Sequence, residues 1–309
     1  MEQEKCAPNK QFSEESCFDL SVLKIIAEKY NKKFNDKINS NLPKLELVKE
    51  LEKRLNTNKC NNQTCWLKSE FLKELKKTDI EVYDEIYNNT FRPLGPTQQF
   101  GWLSNVNIDQ IIQQYHDKHE DFLFLGSVPY DFEEIDQLGL KDIDFDELYK
   151  DGKYKLGLVI NLDTHDKSGS HWVALFINLK KYQLYYFDSF GIKPGKRVRK
   201  FNNKVFKFFA KKKKLNIHPN HFFFKNKQID KNKKIDKNNQ IDKNKNDVMK
   251  HFDIRFNQIQ HQVKNSECGV YSTNFILRLI KDELFDEITE NITRDDAMNE
   301  CRSTYFRNV

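Results

Sequence analysis

Three apolar segments rich in β-branched and aromatic residues follow one another with little chain between them: GLVINL (157–162), HWVALFINL (171–179) and YQLYYFD (182–188). Runs this short and this apolar suit strands covered on both faces better than helices, which need ten or more residues with a 3.6-residue period. A chain containing them must build a sheet and find helices to cover it. FLFLG (122–126) and HFDIRFNQI (251–259) offer further strands. CGVYSTNFILRLI (268–280) and KRVRKFNNKVFKFFAKKKK (196–214) offer helices, the second with Val198, Phe201, Val205, Phe208 and Phe209 facing inward. A third helix carries Ile108, Ile111, Ile112 and Tyr115 on one face, with Ser104 or Asn105 as its N-cap. The expected class is α+β.

Residues 1–95 read differently. Phe18, Val22, Ile25, Ile26 and Tyr30, then Val48, Leu51 and Leu55, then Leu67, Phe71 and Leu75 mark one-faced helices. RPLGPTQQFG (92–101), with two prolines and two glycines, closes this arm. The division expected is a helical arm over 1–95 and a core over 96–309. Within the core, residues 226–247, with their recurring IDKN, hold too little apolar mass to offset backbone entropy and read as a disordered surface insert.

The chemistry-bearing residues sit at the ends of these elements. A two-residue turn at Lys180–Lys181 makes opposed residues of the hairpin sum to 361, so Asp188 faces Val173 and His171 lies one diagonal step away on the same face. A slip of one residue would put them on opposite faces. Cys268 opens an apolar helix after Asn265-Ser266-Glu267, and a helix N-terminus supplies partial positive charge and free N–H groups that favour a thiolate. Its own N–H and the Gln262 amide, six residues earlier, are candidate oxyanion donors. Taken singly, a thiol at a helix start or a His–Asp pair is usually structural. Their joint occurrence in the order His, Asp, Gln, Cys is what carries weight.

In this order and in these motifs (HW, YYFDS, Q-x5-C-G-V-Y), the chain resembles the adenain and SUMO-deconjugating cysteine protease clan, nearest to the polyprotein-processing proteases of large cytoplasmic DNA viruses. The resemblance covers roughly residues 100–280. It implies a papain-like or adenain-like core in which His171 is the base, Asp188 its orienter, Cys268 the nucleophile and Gln262 the oxyanion residue, Gln260 being too far from Cys268 in sequence. It also implies a substrate tunnel for a Gly-Gly tail between Trp172, which follows His171, and Trp102, which opens WLSN with Asn105 where the family commonly has Asp. Cleavage after small residues of viral structural polyproteins is expected; removal of a SUMO-like modifier is the alternative. A non-catalytic, nucleic-acid-binding virion protein is the second. No cofactor is required.

Apolar residues make up 38% of the 309 and charged residues 32%, enough for a core beneath a charged surface. No run of 18 apolar residues is present, so no membrane partner is expected, and MEQEKCAPNK lacks a signal-peptide core. The expected location is the host cytoplasm and virion, with the nucleus as the alternative, and the six cysteines accordingly read as thiols. Cys60-x4-Cys65 has no second pair to complete a zinc site, so no metal is expected. His165, in LDTHDKSGS, reads as a solvated loop residue, as do His218 and His221. Residues 191–250 carry 20 Lys/Arg against 4 Asp/Glu, although the net charge is only +6. A solvated helix face is the simpler reading of 193–214; phosphate contact by Lys196, Arg197, Arg199 and Lys200 is the alternative.

Overall fold

The computed structural model describes residues 5–58, 60–215 and 250–308, so the IDKN insert, His218 and His221 lie outside the described residues. Two compact units are present, one made of residues 1–97 with 302–309 and the other of residues 98–301. Residues 302–309, assigned to the core from sequence, thus group with the N-terminal unit.

In the N-terminal unit, α1 (Leu20–Lys33) and α2 (Lys44–Leu55) bury the faces marked by their apolar spacing, with Val22, Leu23, Ile26, Leu47, Val48 and Leu51 in the core. Pro43 stands at the N-cap of α2, where its missing N–H costs nothing. The expected third helix is instead broken into one-turn pieces over 63–66, 70–73 and 75–78. Its apolar residues Leu67, Phe71 and Leu75 are buried all the same. The thiol reading fails here. Cys6 is bonded to Cys17 and Cys60 to Cys65, each pair with Cα atoms 5.4 Å apart, inside the range a disulfide spans. Cys268 and Cys301 are the free cysteines.

The second unit is built on a five-stranded sheet in the order β1 (Phe122–Val128), β2 (Lys155–Asn161), β3 (Trp172–Asn178), β4 (Gln183–Phe187), β5 (Asp253–Phe256). The β2–β3 and β3–β4 pairs are antiparallel, while β1 and β5 join parallel at the edges. Every residue of β2 and β3 is buried, as their unbroken apolar runs require. One face, with Leu156, Leu158, Ile160, Leu175, Ile177 and Tyr186, packs in one cluster with Val198, Phe201, Val205 and Phe208 of α3 (Lys196–Lys212). The other face meets α4 (Cys268–Ile280), where the Phe187 and Phe275 rings stack at 4.9 Å. A Cβ on Gly157 would meet Ile276 at 3.0 Å, so the small residue lets helix and sheet approach.

The hairpin register is the one that places His171 and Asp188 together. Ala174 pairs with Phe187 and Asn178 with Gln183. The connecting residues 179–182 turn on Asn178, whose Oδ1 accepts the Lys180 and Lys181 N–H groups, and on Tyr182 in the left-handed region at φ 55°.

Candidate active site

His171 precedes β3 and Asp188 follows β4, so the shared register brings their side chains together at one end of the sheet. The His171 Nε2 lies 2.8 Å from Asp188 Oδ1. Asp188 is almost fully buried; its Oδ1 also accepts the Phe190 N–H, and Asn257 brackets its backbone by accepting from Asp188 N and donating to Asp188 O. The carboxylate is thereby fixed without touching solvent. Phe190 stacks on the imidazole with centroids 4.7 Å apart, which holds the ring plane.

With Nε2 taken by Asp188, Nδ1 is the nitrogen left to face the Cys268 thiol, whose proximity contributes to the raised pKa of the ring. Burial of His171 works to lower its pKa, but the Asp188 and Cys268 hydrogen bonds and charges overcome this and push it up to about 9. The imidazolium is therefore the resting form at neutral pH, and it can give a proton to a departing amine. Cys268, buried, is the first residue of α4. Glu267 occupies the N-cap position without a side-chain cap bond, its carboxylate accepting instead from Ser266 and Asn299. Among the described residues no group takes the Cys268 N–H, which stays free to donate to an oxyanion.

Gln262 is fully buried, and its amide is held at both ends. The Ser189 hydroxyl donates to Oε1 at 2.6 Å, and Nε2 donates to Lys264 O at 2.6 Å, leaving one amide hydrogen uncommitted. The Ser189 carbonyl also accepts both the His261 and Gln262 N–H groups, and Asp295 Oδ2 accepts those of Val263 and Lys264. Ser189 thus ties the loop carrying Asp188 to the loop carrying Gln262. Sequence reasoning assigned no role to Ser189, Asn257 or Phe190. The one signal available was the position of Ser189 directly after Asp188 in YYFDS. Gln260 is exposed and donates to Gln262 O.

Trp102, Trp172 and Asn105 line one groove, of about 530 Å³, a size common for ligand clefts. Trp172 is buried, with Nε1 donating to Leu103 O at 2.9 Å, whereas Trp102 is half exposed and Asn105 exposed. Gly269, next to the thiol, allows this wall to close in. A Cβ there would lie 2.9 Å from Leu103 Cβ and 3.3 Å from the Trp172 ring. Ser104 and Asn107 form a reciprocal capping box at the start of α5 (Asn105–Gln113), which fixes the chain that carries Trp102.

Of the four residues considered for phosphate contact, Arg197 pairs with Glu134 and Lys200 lies 3.5 Å from Glu133, so acidic groups of the same unit already answer part of that face. Lys196 and Arg199 have no ion pair among the described residues. No three metal-ligating side chains cluster among the described residues, and the Cys60–Cys65 pair is spent on a disulfide. No described helix is long and apolar enough to cross a membrane.

A thiol at a helix mouth, coupled to an imidazole that a buried carboxylate holds, on an α+β core, defines a cysteine protease. Comparison with known proteins agrees. Residues 156–307 match the Ulp1 protease family, C-terminal catalytic domain. A candidate thiol protease of Acanthamoeba polyphaga mimivirus is 30% identical over 98% of this chain and 93% of its own length. A protein of African swine fever virus named as a SUMO-1 cysteine protease is 24% identical over 85% of this chain and 88% of its own. The crystal structure of the African swine fever virus protease superposes with a TM-score of 0.62 at 20% identity, covering 99% of this chain and 96% of that one. The chain belongs to the Ulp1 protease family. Its relatives in this comparison are viral thiol proteases.

Proposed function

We propose that the protein is an endopeptidase that cleaves after Gly-Gly-type sequences, maturing viral structural polyproteins, with Cys268 as nucleophile, His171 as acid–base, Asp188 as its orienter and Gln262 with the Cys268 N–H at the oxyanion. The observation that carries the specificity is the groove lined by Trp102 and by Trp172, the residue that directly follows His171. Flat indoles lining a groove leave space for residues without side chains, and one of them, Trp172, packs close to Gly269, the residue after Cys268. Cys268 Sγ attacks the scissile carbonyl and the C–N bond breaks as His171 Nδ1 gives its proton to the amine. Water then hydrolyses the thioester.

The name of the African swine fever virus relative favours a second reading, removal of a SUMO-like modifier by the same chemistry. Turnover of a Gly-Gly-X peptide library beside a folded SUMO fusion decides between them. Rapid peptide cleavage with the fusion spared supports the endopeptidase reading, and the reverse overturns it. A Cys268→Ala variant that keeps peptidase activity refutes the nucleophile.

A further inference from the structure

His165 belongs to the loop that joins β2 to β3 and leads into His171, and its imidazole is not a free solvated ring. Asp131, buried at 5% exposure, accepts the His165 backbone N–H at Oδ1 (3.0 Å) and its Nδ1 at Oδ2 (2.6 Å). Both carboxylate oxygens are thus spent on one residue whose own side chain is 64% exposed. The surrounding loop is equally set. Asn161 Oδ1 accepts the Asp163 and Ser170 N–H groups, and Asp163 O accepts from Tyr130 N. A buried carboxylate serving only to aim an exposed ring is a costly arrangement for a solvated residue. What the ring lines is the groove of Trp102 and Trp172, together with Lys167 and Asp163.

We propose that His165, aimed by Asp131, is a substrate-binding residue that takes a carboxylate side chain of the substrate upstream of the cleaved bond. The assignment rests on the reading of the Trp102–Trp172 groove as the acyl-side channel. Because a carboxylate can only accept, Nδ1 must carry the hydrogen it shares with Asp131, and Nε2 is left as the outward atom. The hydrogen bond to Asp131, its charge, and those of Asp166 and Glu134 raise the His165 pKa, which favours the imidazolium, the form in which Nε2 carries a hydrogen and donates. A charged donor in a fixed place selects a charged acceptor. Lys167, whose ammonium has no ion pair among the described residues, adds positive charge on the same wall. Asp163 disfavours a second carboxylate nearby. One acidic residue fits; an acidic run does not.

The test uses the full chain and peptides in which each of the three positions upstream of a Gly-Gly pair carries Glu, Gln or Lys. Wild type is expected to favour Glu over Gln at one position by about tenfold in kcat/KM, the scale of one charge-assisted hydrogen bond at an open site. His165→Ala should bring the ratio to about one, and Asp131→Asn should lower it by releasing the ring. Equal turnover of Glu and Gln at all three positions, a preference for Lys, or a ratio that survives in His165→Ala overturns the subsite. If wild type cleaves no Gly-Gly peptide, the cleavage reading fails alone and calorimetry on Cys268→Ala decides the subsite. That protein should hold the Glu peptide about tenfold tighter than the Gln peptide and lose the difference when His165→Ala is added. No binding, or equal binding, refutes it.

Discussion

Replacing Asp188 by Asn tests the electrostatic heart of the site with little change of shape. The amide oxygen can still accept from Phe190 N, as Asp188 Oδ1 does now, so the 188–191 turn keeps its bond. What is lost is the negative charge 2.8 Å from His171 Nε2. Without it, burial acts against the ring with only Cys268 opposing, and the His171 pKa falls from about 9 toward the ordinary imidazole value of 6.5 or lower. At pH 8 the protonated fraction drops from about 0.9 to about 0.03, a loss of about 30-fold in the proton-donating form. The sign is fixed: the raised pKa makes the imidazolium persist as pH rises, so the alkaline limb of kcat/KM marks its loss. Wild type should lose activity through about pH 9, and Asp188→Asn some two units earlier. The assay is initial-rate turnover of a Gly-Gly peptide from pH 5 to 10, with circular dichroism confirming the fold. An alkaline limb that stays near 9 in the variant, or one already near 6.5 in wild type, would refute the account of Asp188.

Gln262→Ala should lower kcat by about 10²–10³-fold with KM little changed, the range for loss of one oxyanion donor, and steady-state kinetics checks it. Ser189→Ala should lower kcat less, about tenfold, because the amide loses its anchor rather than its N–H; a larger effect on KM than on kcat would count against that role. Gly269→Ala gains about 1 kcal/mol of helix propensity but forces a Cβ to 2.9 Å from Leu103 Cβ, an overpacking cost of about 1–3 kcal/mol, so a net destabilisation of up to about 2 kcal/mol is expected, seen as a lower Tm. Paired Cys→Ser changes at Cys6 with Cys17 and at Cys60 with Cys65 should destabilise the N-terminal unit by about 5 kcal/mol together on chain-entropy grounds, measured by urea unfolding.

The sheet and its register were legible because they are local. The runs 171–179 and 182–188 carry their own burial pattern, and a turn centred on Lys180–Lys181 leaves one pairing that buries both. The His171–Asp188 contact follows from that pairing alone. Cys268 was legible as a helix start, but its neighbours were not: Glu267, at the N-cap, makes no side-chain cap bond and turns to Ser266 and Asn299. Ser189, Asn257 and Asp295 were silent because their bonds join loops some 30 to 70 residues apart, a separation that no periodicity encodes. The cysteine pairs were missed for another reason. They were judged by an assumed compartment, whereas spacings of 11 and 5 residues with Cα atoms 5.4 Å apart decide the matter geometrically.

Those two crosslinks and the lone sulfur of residue 268 place opposite demands on the surroundings of one polypeptide. The former persist only where oxidants prevail, while the latter attacks a carbonyl only while unoxidised and unbonded. A purification rich in dithiothreitol safeguards the attacking atom and unpicks the staples, and a purification in air does the reverse. Specific activity and the melting of the first hundred residues should therefore respond to added reductant in opposite directions, and an intermediate dose should serve both.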